Sequence, residues 1–235
     1  MFAGPNGSGK STLFKRVSDH IHLPIFVNAD DIQVELNHHG FISLADYGVE
    51  ATSDDLENFD HLTGITSKIS TFSTPRLEHN VIVTENRNND AYLAAFLAAF
   101  IRYLLVKKQT SFCFETVMSH HSKVDFLRKA NEQGFRTYLY FIATDSPHIN
   151  MARVAERVLK GGHPVAKEKI LSRYYRSLEL LLDAVKTVDR AYIFDNSGIT
   201  MRWVAESEKN NSLVVKSSEF PPWLQQYVIS KIDTP

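Results

Sequence analysis

The sequence predicts an α/β fold, in which helices cover both faces of a mostly parallel sheet. Three observations carry this prediction. Short apolar runs alternate with helical segments from Phe2 to Phe194, as strands and crossover helices do in parallel sheets. A glycine-rich loop joins the first apolar run to the first helix. Polar and acidic residues directly follow several apolar runs, and the carboxyl ends of parallel strands face the ligand crevice in folds of this kind.

The composition fits such a domain and excludes several other classes of protein. The chain has 235 residues, 43% of them hydrophobic, which can build a core and excludes global disorder. A formal net charge of -1 argues against a nucleic-acid coat or a polybasic membrane anchor. No apolar segment reaches the roughly 18 residues of a membrane span, and no signal peptide precedes the glycine loop. We therefore expect a cytoplasmic protein with no nucleic-acid or membrane partner.

The cysteine and histidine residues predict neither a disulfide nor a zinc site. Cys113 is the single cysteine, which excludes an internal bond, and its neighbours Phe112 and Phe114 favour a buried side chain over a nucleophile. The ten histidines show no spacing typical of metal ligands.

The first elements follow from apolar runs with defined ends. Phe2–Ala3 predicts the stub of a strand, and the helix after the glycine loop extends from about Ser11 to Ile21. Leu23–Val27 is apolar and ends in polar residues, which indicates a buried strand. The polar segment 37–90 has no clean period beyond Val81–Thr84, so we expect an irregular insertion that covers a substrate or forms a mobile arm.

Helical periodicity and short apolar runs predict the remaining elements. A helix at Ala91–Val106 has aromatic residues at spacings of three and four. The elements after it, in chain order, are a strand at Ser111–Phe114, a helix at Ser122–Gln133 closed by Gly134, a strand at Thr137–Ala143, helices from Ser146 to Gly161 and at Val165–Val188, a strand at Ala191–Phe194, a hairpin within 201–215 and a helix at Pro222–Ile229. We expect residues 1–200 to form one domain, to which the hairpin and helix of 201–235 are appended.

The glycine-rich loop carries the strongest functional signal. It satisfies G-x-x-x-x-G-K-[ST] between a strand stub and a helix. Its glycines allow backbone N–H groups to point at phosphate oxygens, and the helix adds the positive end of its dipole. Lys10 can reach between the β- and γ-phosphates, and the Ser11 hydroxyl can ligate Mg²⁺. The residues expected to bind ATP are Gly4, Pro5, Asn6, Gly7, Ser8, Gly9, Lys10, Ser11 and Thr12.

Further motifs select the subclass of P-loop protein. The sequence has no guanine-reading Asn-Lys-x-Asp element and no Leu-Ser-Gly-Gly-like signature, which argues against GTPases and ABC-type ATPases. A small-molecule kinase remains, because it needs a carboxylate to take the acceptor proton and cations to neutralise the transferred phosphoryl group. Asp30, after the second strand, is the predicted base, with Asp31 as the alternative. The other interpretation of this pair is a helix N-cap.

Polar residues at two other strand ends are candidate ligand contacts. Glu115 stands where a P-loop protein places its second carboxylate, for a magnesium-bound water or a substrate hydroxyl, and Thr116 and Ser119 can add hydroxyl contacts. A solvated charge is the other interpretation of Glu115. Asn196 follows the last core strand and is expected beside the adenine, although a plain turn explains its position nearly as well.

Basic residues in two late helices are candidate phosphate contacts. Arg153 and Arg157 are four positions apart, so they share one helix face, and Lys160 follows before a double glycine. A cationic face beside a glycine hinge suits a lid that closes over a triphosphate. Arg173 and Arg176 repeat the pattern in the next helix, although any one of these arginines can be an exposed helix charge.

In combination, these motifs resemble the zeta-toxin-like family of P-loop kinases, and its chromosomal branch in particular. The resemblance covers most of the chain outside about 37–90 and is far more specific than the P-loop alone. The matching segments are Ala3–Thr12, Val27–Asp30, Phe112–Ser119, Arg153–Val154, Arg157–Val158, Gly161–His163, Arg173–Ser177 and Phe194–Ser197.

The resemblance implies a reaction, site residues and a partner. The best-understood zeta toxins transfer the γ-phosphoryl group of ATP, with Mg²⁺, to the 3′-hydroxyl of UDP-N-acetylglucosamine. A small helical antitoxin that covers the phosphate loop is the implied protein partner. The implied roles are binding of ATP and magnesium by Lys10 and Ser11, proton acceptance by Asp30, substrate binding by Asp30, Glu115, Thr116 and Arg173, and phosphoryl stabilisation by Arg153 or Arg157.

Departures from the family pattern fall on the acceptor side. Val117 stands where the characterised toxins carry a substrate-contacting threonine. A second arginine of the toxins has no clear counterpart, and His163 and Arg173 are the alternatives for it. Two other functions therefore stay open: a kinase of a different small molecule or nucleotide, and an ATP-dependent switch that acts on a protein partner.

Overall fold

A computed structural model of the protein describes residues 1–63, 75–85, 91–208, 213–216 and 219–232. The strands, in chain order, are β1 (Phe2–Ala3), β2 (Ile25–Val27), β3 (Phe41–Ser43), β4 (Arg76–Glu78), β5 (Val81–Val83), β6 (Phe112–Thr116), β7 (Tyr138–Ala143), β8 (Arg190–Asp195), β9 (Arg202–Glu208) and β10 (Val214–Val215). The first eight α-helices are α1 (Lys10–Ser18), α2 (Ala29–His39), α3 (Ser53–Thr63), α4 (Ala91–Lys107), α5 (Ser122–Glu132), α6 (Pro147–Leu159), α7 (Lys167–Glu179) and α8 (Leu181–Thr187).

The chain divides into two units by its internal contacts. The first unit consists of Met1–His22 and Glu115–Pro235, and the second consists of Leu23–Phe114. Strand β6 begins in the second unit and ends in the first. Each unit is described by itself.

The first unit is built on a mostly parallel sheet with the strand order β10-β9-β8-β7-β1-β6. Phe2 of β1 pairs in parallel with Glu115 of β6 on one side and with Tyr140 of β7 on the other. Strand β8 is parallel to β7, and β9 and β10 continue the sheet in antiparallel fashion. This confirms the predicted α/β class and the β9–β10 hairpin. Residues 209–212, which the predicted hairpin also spans, lie outside the described residues.

Trp223 joins the C-terminal helical segment to this sheet. The segment has α-helical ends, α9 (Pro222–Leu224) and α10 (Ser230–Ile232), around a π-helical turn at Gln225–Ile229. The buried Trp223 ring lies 6.3 Å from the Phe141 ring of β7, and its Nε1 donates to the Asp195 carboxylate at 3.2 Å. The segment thereby fixes the end of β8, where polar site residues follow.

The second unit contains more regular structure than the sequence predicts. The predicted irregular insertion, 37–90, holds helix α3 and an antiparallel sheet with the strand order β3-β5-β4 among its described residues. Phe59 of α3 packs at ring distances of 5.5 and 5.4 Å on Phe96 and Phe100 of α4. Three-residue strands are too short to show a period, and α3 owes its packing to a helix distant in the sequence. Local patterns therefore do not reveal either.

Two predicted boundaries are also wrong. The predicted helix Val165–Val188 is two helices, α7 and α8, which meet at Leu180, although no glycine or proline marks the break. Helix α1 ends at Ser18, with Asp19 as its C-cap, and not at the predicted Ile21. Across the described ranges, no helix combines the length and apolar character needed to cross a bilayer.

Gly134, after α5, offers a clean test of backbone strain. Its φ angle is 85°, and a Cβ there would meet no atom within 4 Å. We expect Gly134→Ala to lower the free energy of unfolding by about 1 kcal/mol, because L-residues are strained in the left-handed region. The measurement is urea denaturation followed by circular dichroism. Gly198→Ala is the matched control, because Gly198 also has open space but no left-handed φ. Equal effects of the two substitutions would contradict the argument.

Candidate functional site

The loop between β1 and α1 is a P-loop whose glycines are required by geometry. The φ angles of Gly4, Gly7 and Gly9 are 144°, 77° and 103°. A Cβ at Gly7 would lie 2.6 Å from the carbonyl oxygen of Asn150, and a Cβ at Gly4 would overlap the carbonyl oxygen of Ile142. Side chains are thus excluded at these glycines by the positive φ angles and, at Gly4 and Gly7, by close contact with β7 and α6.

Lys10 begins α1 and lies almost buried behind the loop. Its side chain is 7% exposed, its Nζ donates to the carbonyl oxygen of Pro5 at 3.1 Å and lies 3.8 Å from Oε1 of Glu115. Gly9 is the N-cap of α1 and provides no side-chain acceptor for the first turn of the helix. The N–H groups of that turn and the Lys10 ammonium therefore form a positive region suited to phosphate oxygens.

Ser11 and Glu115 join a hydroxyl to a carboxylate beside this lysine. The Ser11 Oγ donates to Oε2 of Glu115 at 2.9 Å, and the Glu115 side chain is 13% exposed. Oxygen ligands of these two kinds are those that Mg²⁺ prefers, so the donor set fits a magnesium ion at a P-loop. The interpretation of Glu115 as a solvated charge is wrong, because both of its carboxylate oxygens face P-loop residues.

The side chain of Asn150, from α6, supports the loop from one side. It is fully buried, its Nδ2 donates to the carbonyl oxygen of Asn6, and its Oδ1 accepts from the Thr144 hydroxyl. The Tyr174 hydroxyl in turn donates to the Thr144 carbonyl at 2.6 Å, and burial raises the pKa of Tyr174 above its ordinary value. Sequence analysis missed Asn150. Its signal was an amide on the buried face of α6, between Pro147 and Val154.

Asn196 supports the loop from the other side. Its Nδ2 donates to the carbonyl oxygen of Ser8 at 2.7 Å, and its backbone N–H donates to Ala143 at the end of β7 at 2.8 Å. The preceding residue, Asp195, is 1% exposed and pairs with Arg202 at 3.0 Å. Asn196 is expected beside the adenine, and its side-chain amide bonds the P-loop backbone.

The two arginines of α6 have different surroundings. Arg153 donates to the carbonyl oxygens of Asn196 at 2.7 Å and Gly198 at 3.5 Å. Arg157 donates to the carbonyl oxygen of His163 at 3.0 Å. An open cleft of about 440 Å³ lies at this end of α6, lined by Arg153, Glu156, Arg157, Lys160, Gly161 and Gly162. Lys160 is paired with Glu156, so the cationic face of the cleft is only partly neutralised.

The turn after α6 is shaped around Arg157. Gly161 has a φ of 89°, and a Cβ at Gly162 would lie 2.7 Å from Cγ of Arg157. The backbone N–H of Gly162 also donates to the Arg157 carbonyl at 2.9 Å. The double glycine therefore lets the chain close over the Arg157 stem, and His163 contributes its carbonyl to the guanidinium.

The remaining predicted residues occupy other places. Asp30 lies in the first turn of α2 in the second unit, where Asn28 is the N-cap and accepts from the Asp30 N–H at 3.0 Å. The N-cap interpretation of Asp30 is therefore wrong. Thr116 accepts from the Met118 N–H at 3.2 Å, and Arg173 is a half-buried residue of α7.

The cysteine of the second unit is buried, as predicted. Cys113 is 6% exposed, and its Sγ lies 3.5 Å from the carbonyl oxygen of Pro24 as a hydrogen-bond donor. Burial raises the pKa of the thiol from 9.0 to about 11. At neutral pH the reactive thiolate is therefore scarce.

Comparisons with known proteins identify the family and the fold. A family model described as an AAA domain matches residues 1–181. An uncharacterized protein of Haemophilus influenzae is 32% identical over 72 residues, which span 31% of this chain and 51% of that protein. A crystal structure of the AvrRxo1-ORF1:-ORF2 complex aligns with 100% of this chain and 63% of its own chain, at 14% identity and a TM-score of 0.56.

A further solved structure is similar at a lower score. It belongs to the PezAT chromosomal toxin-antitoxin system of Streptococcus pneumoniae and aligns with 99% of this chain and 88% of its own, at 13% identity and a TM-score of 0.47. The chain spans only about half the length of the curated relative that it matches. The family model covers more than half of the chain and shows its family, and the solved structure with a TM-score of 0.56 shows a similar fold.

Alkylation of Cys113 tests the inert character of this thiol. A pKa of about 11 in place of 9.0 leaves about 100-fold less thiolate at pH 7.5. We expect iodoacetamide to modify the folded protein at least about 100-fold more slowly than the urea-unfolded chain. Because Cys113 is the single cysteine, the mass shift of the intact protein measures its reaction alone. A folded-state rate close to the unfolded rate would contradict the burial argument.

Proposed function

We propose that this chain, which belongs to the AAA domain family, is an ATP-dependent phosphotransferase that moves the γ-phosphoryl group to a hydroxyl of a small molecule. The observation that carries the proposal is the cluster of Lys10, Ser11 and Glu115 at a P-loop that has no room for side chains at its glycines. This cluster combines a cation for phosphate with oxygen ligands for a metal. Phosphoryl transfer depends on these two functions above all, because its catalysis is mainly positioning and charge stabilisation.

The residues of the P-loop unit would hold the nucleotide. Backbone N–H groups of the loop and the Lys10 ammonium bind phosphate oxygens, and Ser11 and Glu115 hold Mg²⁺ directly or through water. The metal, when bound, neutralises charge on the phosphate oxygens. Arg157 supplies further positive charge from the cleft at the end of α6, where the Gly162 turn orients its side chain.

Asp30 is our proposed general base. It accepts the proton of the acceptor hydroxyl as that oxygen bonds to the γ-phosphorus and the bond to the β–γ bridging oxygen breaks, which releases ADP. Because Asn28 caps α2, the Asp30 carboxylate is not used for capping. The Asp30 side chain is also exposed. Asp31 is the alternative base. Its pKa is raised mainly by burial and, to a smaller extent, by the negative charge of the neighbouring Asp30.

The proposed acceptor is the 3′-hydroxyl of UDP-N-acetylglucosamine, with Glu115, Thr116 and Arg173 as its contacts. Support for this acceptor comes from the resemblance to zeta toxins. A small antitoxin protein is proposed as a partner on the same basis. Val117, in place of the threonine of the toxins, is the reason to test other hydroxyl-bearing metabolites alongside the sugar nucleotide.

Transfer of label from γ-labelled ATP tests the acceptor and the base together. With Mg²⁺ and UDP-N-acetylglucosamine, we expect labelled sugar nucleotide from the wild type and at least a 100-fold lower rate from Asp30→Ala, because a positioned base contributes roughly 10²–10⁴-fold. Asp31→Ala is expected to retain most of the activity. Asp54→Ala, an exposed carboxylate in the first turn of α3, is the matched control.

Each alternative gives a different result in this assay. Label on another metabolite in a screen would replace the acceptor and keep the kinase. A loss of activity in Asp31→Ala with retention in Asp30→Ala would move the base by one residue. Slow hydrolysis that is independent of any acceptor and of Asp30 would favour the ATP-dependent switch.

Removal of the Lys10 ammonium tests the nucleotide site by itself. We expect Lys10→Met to weaken ATP binding by roughly 100-fold or more, because about 3 kcal/mol of a charge-assisted contact is lost. The measurement is titration calorimetry with ATP and Mg²⁺. Lys15→Met is the matched control, since Lys15 is an exposed residue of the same helix. Unchanged affinity in Lys10→Met would place the nucleotide elsewhere.

A further inference from the structure

We infer that Arg153 is a positioning residue, which raises the affinity of the P-loop for nucleotide by holding Asn196 and does not contact a phosphate group. The inference rests on the proposed function only in taking the P-loop as the ATP site. It gives Arg153 a role distinct from that of Arg157, although the two share one face of α6.

The guanidinium of Arg153 is engaged by backbone carbonyls. Its Nη1 donates to the carbonyl oxygen of Asn196 at 2.7 Å and its Nη2 to that of Gly198 at 3.5 Å, so one planar group spans the loop that follows β8. Arginine presents its donors in a rigid fork, which suits two acceptors on one side. The side chain is only partly exposed, and the contact to Asn196 crosses 43 positions of the sequence. Arg153 thus fixes the backbone of Asn196 from α6.

Asn196 passes this constraint to the P-loop. Its Nδ2 donates to the carbonyl oxygen of Ser8 at 2.7 Å. Because a trans peptide is planar, the N–H of Gly9 points away from the carbonyl of Ser8 and hence away from Asn196. An anchored Ser8 carbonyl therefore fixes the direction of a glycine N–H in the loop that is expected to bind phosphate.

A second amide acts on the neighbouring peptide in the same way. Asn150 donates to the carbonyl of Asn6, which directs the N–H of Gly7 away from α6. Two asparagines therefore set two N–H groups of the loop from outside. Asn150 is itself part of α6, whereas Asn196 belongs to a loop and depends on Arg153 and Ala143 for its place.

Nucleotide affinity in a small set of variants tests this relay. Arg153→Met keeps the aliphatic stem and removes the donors, and we expect it to weaken ATP and ADP about tenfold each, the usual effect of losing a hydrogen bond to a charged group. Asn196→Ala is expected to weaken both nucleotides by a similar factor. The double variant is expected to bind no more weakly than Asn196→Ala alone, because Arg153 acts through the amide that is already absent.

The matched control is Arg128→Met, which removes an exposed arginine paired with Asp125 in the same unit. Calorimetric titration gives the affinities, and circular dichroism at the titration temperature establishes that each variant is folded. If Arg153→Met does not fold, Arg153→Lys serves instead, because lysine retains one donor for Asn196 but loses the fork. We expect Arg153→Lys to weaken ATP and ADP binding by the same factor. This factor is expected to be smaller than that of Asn196→Ala.

Other results would overturn the inference. Weaker binding of ATP with unchanged binding of ADP would mean that Arg153 contacts the γ-phosphate. If the affinity loss of the double variant equals the product of the losses of the two single variants, Arg153 and Asn196 act independently. These affinities are measured without any acceptor. A wild type that binds ATP but transfers no label to UDP-N-acetylglucosamine or to any screened metabolite would therefore contradict the proposed kinase and leave the relay standing.

Discussion

The close contact between the P-loop and the elements around it is the constraint on which the first unit depends. The spaces that a Cβ would need at Gly4, Gly7 and Gly9 are filled by the carbonyl of Ile142 in β7, the carbonyl of Asn150 in α6 and the Asn196 amide. All three segments lie far from the loop in the sequence, and the loop can meet them because β1 pairs directly with β7. The parallel sheet thus brings two backbone carbonyls and one side-chain amide into contact with a short loop.

Opposite charges lie close together beside the P-loop. Lys10 and Glu115 are both largely buried, yet their charged atoms are 3.8 Å apart, longer than a hydrogen bond, and Ser11 takes up one carboxylate oxygen. A tight buried ion pair would neutralise the lysine that phosphate requires. The looser arrangement keeps the ammonium directed at the loop through its bond to the Pro5 carbonyl. The Lys10 ammonium therefore lies beside both the P-loop backbone and the Glu115 carboxylate.

Local signals predicted the elements of the first unit, and distant contacts explain most of the misses. The glycine spacing, Lys10 and Ser11 located the P-loop, and Glu115 followed from its place at a strand end. The break between α7 and α8 carries no breaker residue, and the short strands of the second unit show no period. The bond between Asn196 and Ser8 joins residues 188 positions apart, which no local pattern specifies. The sequence indicates Asn196 as a candidate site residue, but only the fold shows that its side chain bonds Ser8.

The family match and the folded unit have different limits along the chain. The match ends at residue 181, before β8 and Asn196, whereas the unit continues to the C terminus. A truncated protein that ended at this limit would keep every residue of the nucleotide motif. It would nevertheless leave the Ser8 carbonyl and the Arg153 guanidinium without the groups that they bond in the full chain, and would leave β7 as an unpaired edge. Truncation for expression or crystallisation should therefore follow the sheet and not the family boundary.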